Sequence, residues 1–272
     1  MQAAEYYFTL ANGFTVEFGA TARAADLLAE FAAIYQLETS GRAADYRIVI
    51  AYSDERRDIE QTGASDKTSY EFIYDLPLKR TREELQQLHY MQLQKIGHHA
   101  LRAIVWKTWA LPVHCALAEQ NGGGCIFAGH SGVGKSTLCS KMQTPWRAVS
   151  DDNALIVKNG NEYFLHPLPT WSRFMYDEGG YAVATAEHLP LSGIYFLTQA
   201  DCDECRPVET TEAILRLRKS AEEASFIWQV PKDERISLNA LFFDRACEII
   251  WQKPHGELFS TVDGLPWLEI KI

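Results

Sequence analysis

The sequence has no excess of basic residues: 26 Lys and Arg stand against 36 Asp and Glu, a formal net charge of −10. It therefore lacks the electrostatic footprint that holds a nucleic-acid backbone. No uninterrupted apolar run reaches the roughly 18 residues of a membrane-spanning helix, and the first residues lack the basic-then-apolar pattern of an export signal. Cysteine is sparse, at 115, 125, 139, 202, 205 and 247. The one C-x-x-C, Cys202 and Cys205, has no second pair at zinc-finger spacing and no redox-type β-α-β context, and reads as a polar turn. These absences exclude a disulfide framework and leave a cytoplasmic protein with reduced thiols, without nucleic acid or membrane among its partners. The apolar content is ample, 47% hydrophobic and 12% aromatic over 272 residues, enough for a large core.

Local pattern divides the chain in two. Tyr6–Leu10 and Phe14–Phe18 flank Ala11-Asn12-Gly13, and Asn-Gly tolerates the positive φ angles of a hairpin turn. A helix is expected over 20–35 and strands over 45–53 and 70–77, so residues 1–80 form a small α+β domain without a catalytic motif, placed as a docking surface for a substrate. From Thr81 a T-x-x-E capping box and helically spaced Leu85, Leu88, Met91 and Ile96 predict a linking helix over 81–111, interrupted near Gly97. His98 and His99 lie on it as a half-exposed pair with no third metal ligand in register. The rest of 81–272 reads as α/β with a mixed sheet: a hairpin of 113–120 and 125–129, strands near 146–152, 154–158, 162–166 and 192–200, and helices over 210–222 and 236–253.

Residues 129–136 read Gly-His-Ser-Gly-Val-Gly-Lys-Ser, the G-x-x-x-x-G-K-[ST] pattern between an apolar strand and a helix. Gly129, Gly132 and Gly134 allow a loop whose N–H groups converge on phosphate oxygens. Gly129, His130, Ser131, Gly132, Val133, Gly134, Lys135, Ser136 and Thr137 are thus the expected polyphosphate cradle, with Lys135 reaching β/γ-phosphates and Ser136 holding Mg²⁺. An antiparallel hairpin feeds this loop, whereas the common P-loop enzymes feed theirs from a parallel sheet.

The stretch His114–Asp152 resembles the core of the HPr kinase/phosphorylase family, serine kinases with a phosphoenolpyruvate carboxykinase-like fold. A His precedes the hairpin strand, the loop has the S-G-x-G-K-S form, and Asp151-Asp152 end the strand after the loop helix. The resemblance implies transfer of phosphate from ATP, with Mg²⁺, to a serine of a protein or peptide. The chain looks closer to the short relatives in peptide-producing gene cassettes, including the SynChlorMet type, than to the true HPr kinase. The resemblance implies Asp152 as base and metal-side carboxylate, Asp151 in support, and His114 as a catalytic histidine; a regular strand would project the two aspartates to opposite faces. His130 replaces an acidic residue frequent in the bifunctional enzymes, which sets the dephosphorylating activity in question. Asp177 and Glu178 stand where the family has a second metal-binding acid, although the surrounding motif is absent. Arg173, Arg206, Arg216 and Arg218 compete as the cation for transition-state charge.

Two rival readings remain at this stage. A GTPase is suggested by Thr198-Gln199-Ala200-Asp201, which follows an apolar strand as a guanine-reading motif would, and by Asp177-Glu178-Gly179-Gly180, although Gln199 replaces the usual Lys. A nucleotide or phosphate sensor would need the loop alone.

Overall fold

A computed structural model describes residues 5–41, 43–56, 66–76, 79–176, 183–224, 230–261, 263–265 and 270. The chain forms two compact units, Met1–Thr108 with Pro169–Ala186, and Trp109–Leu168 with Glu187–Ile272. By packing, the helix after Thr81 groups with the N-terminal residues and not, as expected for 81–111, with the C-terminal part.

In the first unit, β1 (Tyr6–Thr9) and β2 (Thr15–Ala20) pair antiparallel across the expected Asn-Gly turn, where Gly13 has φ 85°. β3 (Tyr46–Tyr52) and β4 (Thr68–Ile73) continue the sheet in parallel, in the order β1-β2-β3-β4. Parallel neighbours need crossovers, and α1 (Ala25–Tyr35) supplies the first. Its Leu28, Phe31 and Ala32 are buried, with the Phe31 ring 5.2 Å from Phe18.

α2 (Arg82–Lys107) begins at the predicted capping box: Thr81 Oγ1 accepts from the Glu84 N–H at 3.2 Å and Glu84 Oε2 accepts from the Thr81 N–H at 2.9 Å. Contrary to expectation the helix runs unbroken through Gly97. A Cβ there would lie 2.2 Å from Tyr35 Oη, so this glycine serves a close packing contact rather than a break. The helix also stops at Lys107, and residues from Ala110 belong to a strand, which corrects the predicted end at 111. His99 joins α2 to β4: Nε2 is 2.7 Å from Ser69 Oγ and Nδ1 is 2.8 Å from Glu71 Oε2. The short helix α4 (Trp171–Met175) belongs to the same unit, its Trp171 ring 6.0 Å from that of Tyr35.

The second unit is a mixed sheet of β5 (Ala110–Gln120), β6 (Gly123–Ala128), β7 (Trp146–Ser150), β8 (Asn153–Asn159), β9 (Glu162–Leu168), β10 (Leu189–Gln199), β11 (Glu204–Arg206) and β12 (His255–Ser260). The strand order is β11-β12-β10-β6-β5-β8-β9, with β7 on β5 and a further β10–β9 pairing. β6, β10 and β12 are mutually parallel, while β5 runs antiparallel to β6, β7 and β8. The strand before the glycine-rich loop therefore has one antiparallel and one parallel neighbour. The helices are α3 (Lys135–Lys141), α5 (Thr210–Ala224) and α6 (Lys232–Ile250). Among the described residues no helix is long and apolar enough to cross a membrane. None of the six cysteines is in a disulfide, and Cys115 and Cys125 are buried.

Candidate functional site

The glycine-rich segment joins β6 to α3. Its conformation depends on Gly132 (φ 82°) and Gly134 (φ 104°), angles that L side chains rarely adopt. The segment is anchored by apolar burial: Val133 and Leu138 pack into the cluster of Ala116, Phe127, Trp146 and Leu197. Gln199, at the end of β10, braces it by donating to the Gly132 carbonyl at 3.3 Å. Ser131, Ser136 and Thr137 are exposed. His130 is also exposed, and its Nδ1 lies 2.7 Å from the Ser131 carbonyl oxygen.

Lys135 is 6% exposed and bends back over its own loop, donating from Nζ to the carbonyls of Gly129 at 2.7 Å and His130 at 3.1 Å. Burial pushes its ammonium below the usual lysine range, and nearby Cys115, Asp152, Glu223 and Asp151 oppose that push. A buried cation is tolerated because two of its three donors are hydrogen-bonded and acids lie near it.

Strand pairing brings the two aspartates there. One edge of β5 pairs with β8 up to His114↔Asn153 and with β7 from Leu117↔Ser150. Asp151-Asp152 bridge the gap between these two partners, and the Cys115 N–H donates to the Asp152 carbonyl at 3.0 Å. His114 Nδ1 consequently sits 3.2 Å from Asp152 Oδ1, while Asp152 Oδ2 accepts from Asn153 Nδ2 at 2.6 Å. Asp151 is 3% exposed. The two aspartates lie in a turn after β7 rather than in a regular strand, so side-chain alternation does not separate them, and both carboxylates act on Lys135.

Of one wall of the site the sequence pointed only to Arg216. A cleft of about 300 Å³ at the loop is lined on its far side by Arg216, Lys219, Ser220 and Glu223 of α5. Their spacing of three and four residues places them on one helix face, which was the signal available in the sequence. Ser220 Oγ donates to the His114 carbonyl at 2.7 Å, tying α5 to β5. Of the four competing arginines, Arg216 is the one that lines this cleft; its guanidinium donates to Glu257 Oε1 at 2.9 Å and Thr198 Oγ1 at 3.2 Å. Arg206 and Arg218 pair with Glu204 and Glu222. Arg173 belongs to the other unit, and Asp177 and Glu178 lie outside the described residues.

A family model described as SynChlorMet cassette protein ScmC matches residues 79–271. The chain belongs to this family. The match takes in every element of the candidate site described above, from His114 on β5 to the helix face carrying Glu223, and leaves out the first 78 residues. No curated protein shows a significant match to the chain. Among the described residues, no group of three or more His, Cys, Asp and Glu side chains is placed to hold a metal ion by itself.

Proposed function

We propose that this chain transfers a phosphoryl group from a nucleoside triphosphate, ATP by its resemblance to the HPr kinase family, to a serine hydroxyl of a protein or peptide. The observation that carries this reading is the convergence of Lys135, the His114–Asp152 pair and Asp151 at the mouth of the glycine-rich loop. Phosphoryl transfer is mainly positioning and charge stabilisation, and each part has a residue suited to it. Lys135 would exchange its two loop carbonyls for β/γ-phosphate oxygens, a change from neutral to charge-assisted hydrogen bonds. Asp152 would accept the proton of the attacking serine, with His114 fixing the orientation of its carboxylate. Arg216 would lend its charge at the cleft wall.

Mg²⁺ fits a site of this kind, because that ion is held by one or two protein oxygens together with substrate phosphates rather than by a complete protein cage. Ser136, exposed beside Lys135, and Asp152 are suitable oxygens, and the ion would neutralise charge on the transferring group. The first 78 residues, outside the family match, would help to dock the substrate.

The test is incubation of the purified chain with Mg²⁺ and γ-labelled ATP or GTP in extract of its own source, beside Asp152→Asn, with labelled residues located by mass spectrometry. Asp152-dependent label on serine supports the proposal. Nucleotide binding without transfer would replace it with the sensor reading.

A further inference from the structure

A second cleft, of about 410 Å³, opens at the α3 end of the loop, shares Val133, Leu197 and Gln199 with the first, and lies within the usual range of small-molecule sites, roughly 300–1,000 Å³. Its walls are Thr137 and Lys141 of α3, Leu197 and Asp201 at the end of β10, and Thr261 after β12. The walls are well tied together. Asp203 accepts the Thr261 N–H at 2.7 Å and the Leu265 N–H at 3.1 Å, and the Ala200 N–H donates to the Ser260 carbonyl at 3.0 Å. Asp201 is exposed at the rim and has no hydrogen-bond partner among the described residues.

Given the proposed phosphoryl transfer, the direction of a bound nucleotide decides which cleft takes which end. Lys135 and the two aspartates mark the β/γ end, beside the cleft that α5 closes. The phosphate chain must then leave the loop past Ser136 and Thr137, and Thr137 lines the second cleft. We infer that this second cleft is the nucleoside subsite, in which a purine lies on Leu197 and its exocyclic amine, N6 of adenine or N2 of guanine, donates to the Asp201 carboxylate. Asp201, which ends the Thr198-Gln199-Ala200-Asp201 segment, thereby acquires a role in base reading that does not require a GTPase.

The test compares affinities of ADP, GDP and inorganic pyrophosphate, each with Mg²⁺, by calorimetry on the full chain and on Asp201→Ala and Thr261→Phe. The first variant removes the acceptor and the second fills the cleft. The expected result is that at least one nucleotide binds the wild type more tightly than pyrophosphate, and that both variants lower its affinity about tenfold while pyrophosphate binding changes less than twofold. Whichever nucleotide shows the loss identifies the base. If pyrophosphate binds but the variants leave nucleotide binding unchanged, or nucleotides bind no tighter than pyrophosphate, the subsite is wrong and the phosphate loop stands. If the wild type binds none of the three, both readings fall together.

Discussion

His114 Nδ1 and Asp152 Oδ1 stand 3.2 Å apart because two successive strands share one edge of β5 and leave the aspartate in the gap between them. The second oxygen of Asp152 is held by Asn153 at 2.6 Å, so the carboxylate has a fixed orientation before any substrate arrives. Asp152→Asn keeps the shape and removes the basicity. Transfer to serine is expected to fall by about 10²–10⁴-fold while nucleotide affinity stays within a few-fold, measured by single-turnover transfer and calorimetry on one preparation. Equal losses in both would assign Asp152 to binding.

The loop depends on backbone angles more than on space. A Cβ on Gly134 would meet no atom within 4 Å, yet φ there is 104°. Gly134→Ala should therefore cost strain alone, about 1–3 kcal/mol, and weaken Mg²⁺–pyrophosphate binding by reshaping the cradle. Lys135→Ala should remove about tenfold or more of that affinity without the strain. Pyrophosphate calorimetry together with thermal melts separates the two effects.

Glu248 ties α6 to the mixed sheet. Its carboxylate accepts from Trp109 Nε1 at 2.7 Å, Lys158 Nζ at 2.5 Å and Tyr163 Oη at 3.0 Å. Burial pushes this carboxyl up, but the hydrogen bonds from Lys158, Trp109 and Tyr163 together outweigh burial and hold it below its ordinary value of 4.5. A lowered carboxylate contributes stability that is complete above that ordinary value and is lost as pH falls through the folded one. Glu248→Ala is expected to destabilise by about 2 kcal/mol near neutral pH, with the difference from wild type shrinking below pH 4.5. Urea titrations at pH 7 and at decreasing acid pH would show this.

Gly97 tests the packing of the first unit. Its missing Cβ makes room for Tyr35 Oη, and Tyr35 is 5% exposed, so the ring has little freedom to withdraw. Gly97→Ala should destabilise by about 1–3 kcal/mol despite alanine's higher helix propensity. A stabilised variant would mean that the tyrosine moves aside at little cost.

Features encoded by adjacent residues were legible in the sequence: the Asn12-Gly13 hairpin, the Thr81–Glu84 cap, the strand-loop-helix around Gly129–Ser136 and the hairpin before it. Features that depend on distant partners were not. β12 has no alternating pattern of its own and is a strand because it lies in parallel register with β10, Ile194 opposite His255. Gly97 looked like a break because a lone glycine in a helix carries no sign of the tyrosine it faces. In the first half of the site the loop was legible from motif spacing, and His114 and the two aspartates from the resemblance to the HPr kinase family. The α5 wall, with Ser220 hydrogen-bonded to the backbone of a residue 106 positions away, follows only from the packing of α5 on β5.

The central claim is phosphoryl transfer, and the most direct measurement is a ³¹P spectrum of the chain with Mg²⁺, nucleoside triphosphate and the serine-bearing protein or peptide that labelling identifies. The account predicts a serine phosphomonoester signal growing in step with nucleoside diphosphate, absent with Asp152→Asn although that variant still binds nucleotide. Diphosphate accumulating beside free inorganic phosphate with no phosphoserine, at the same rate in both proteins, would contradict it.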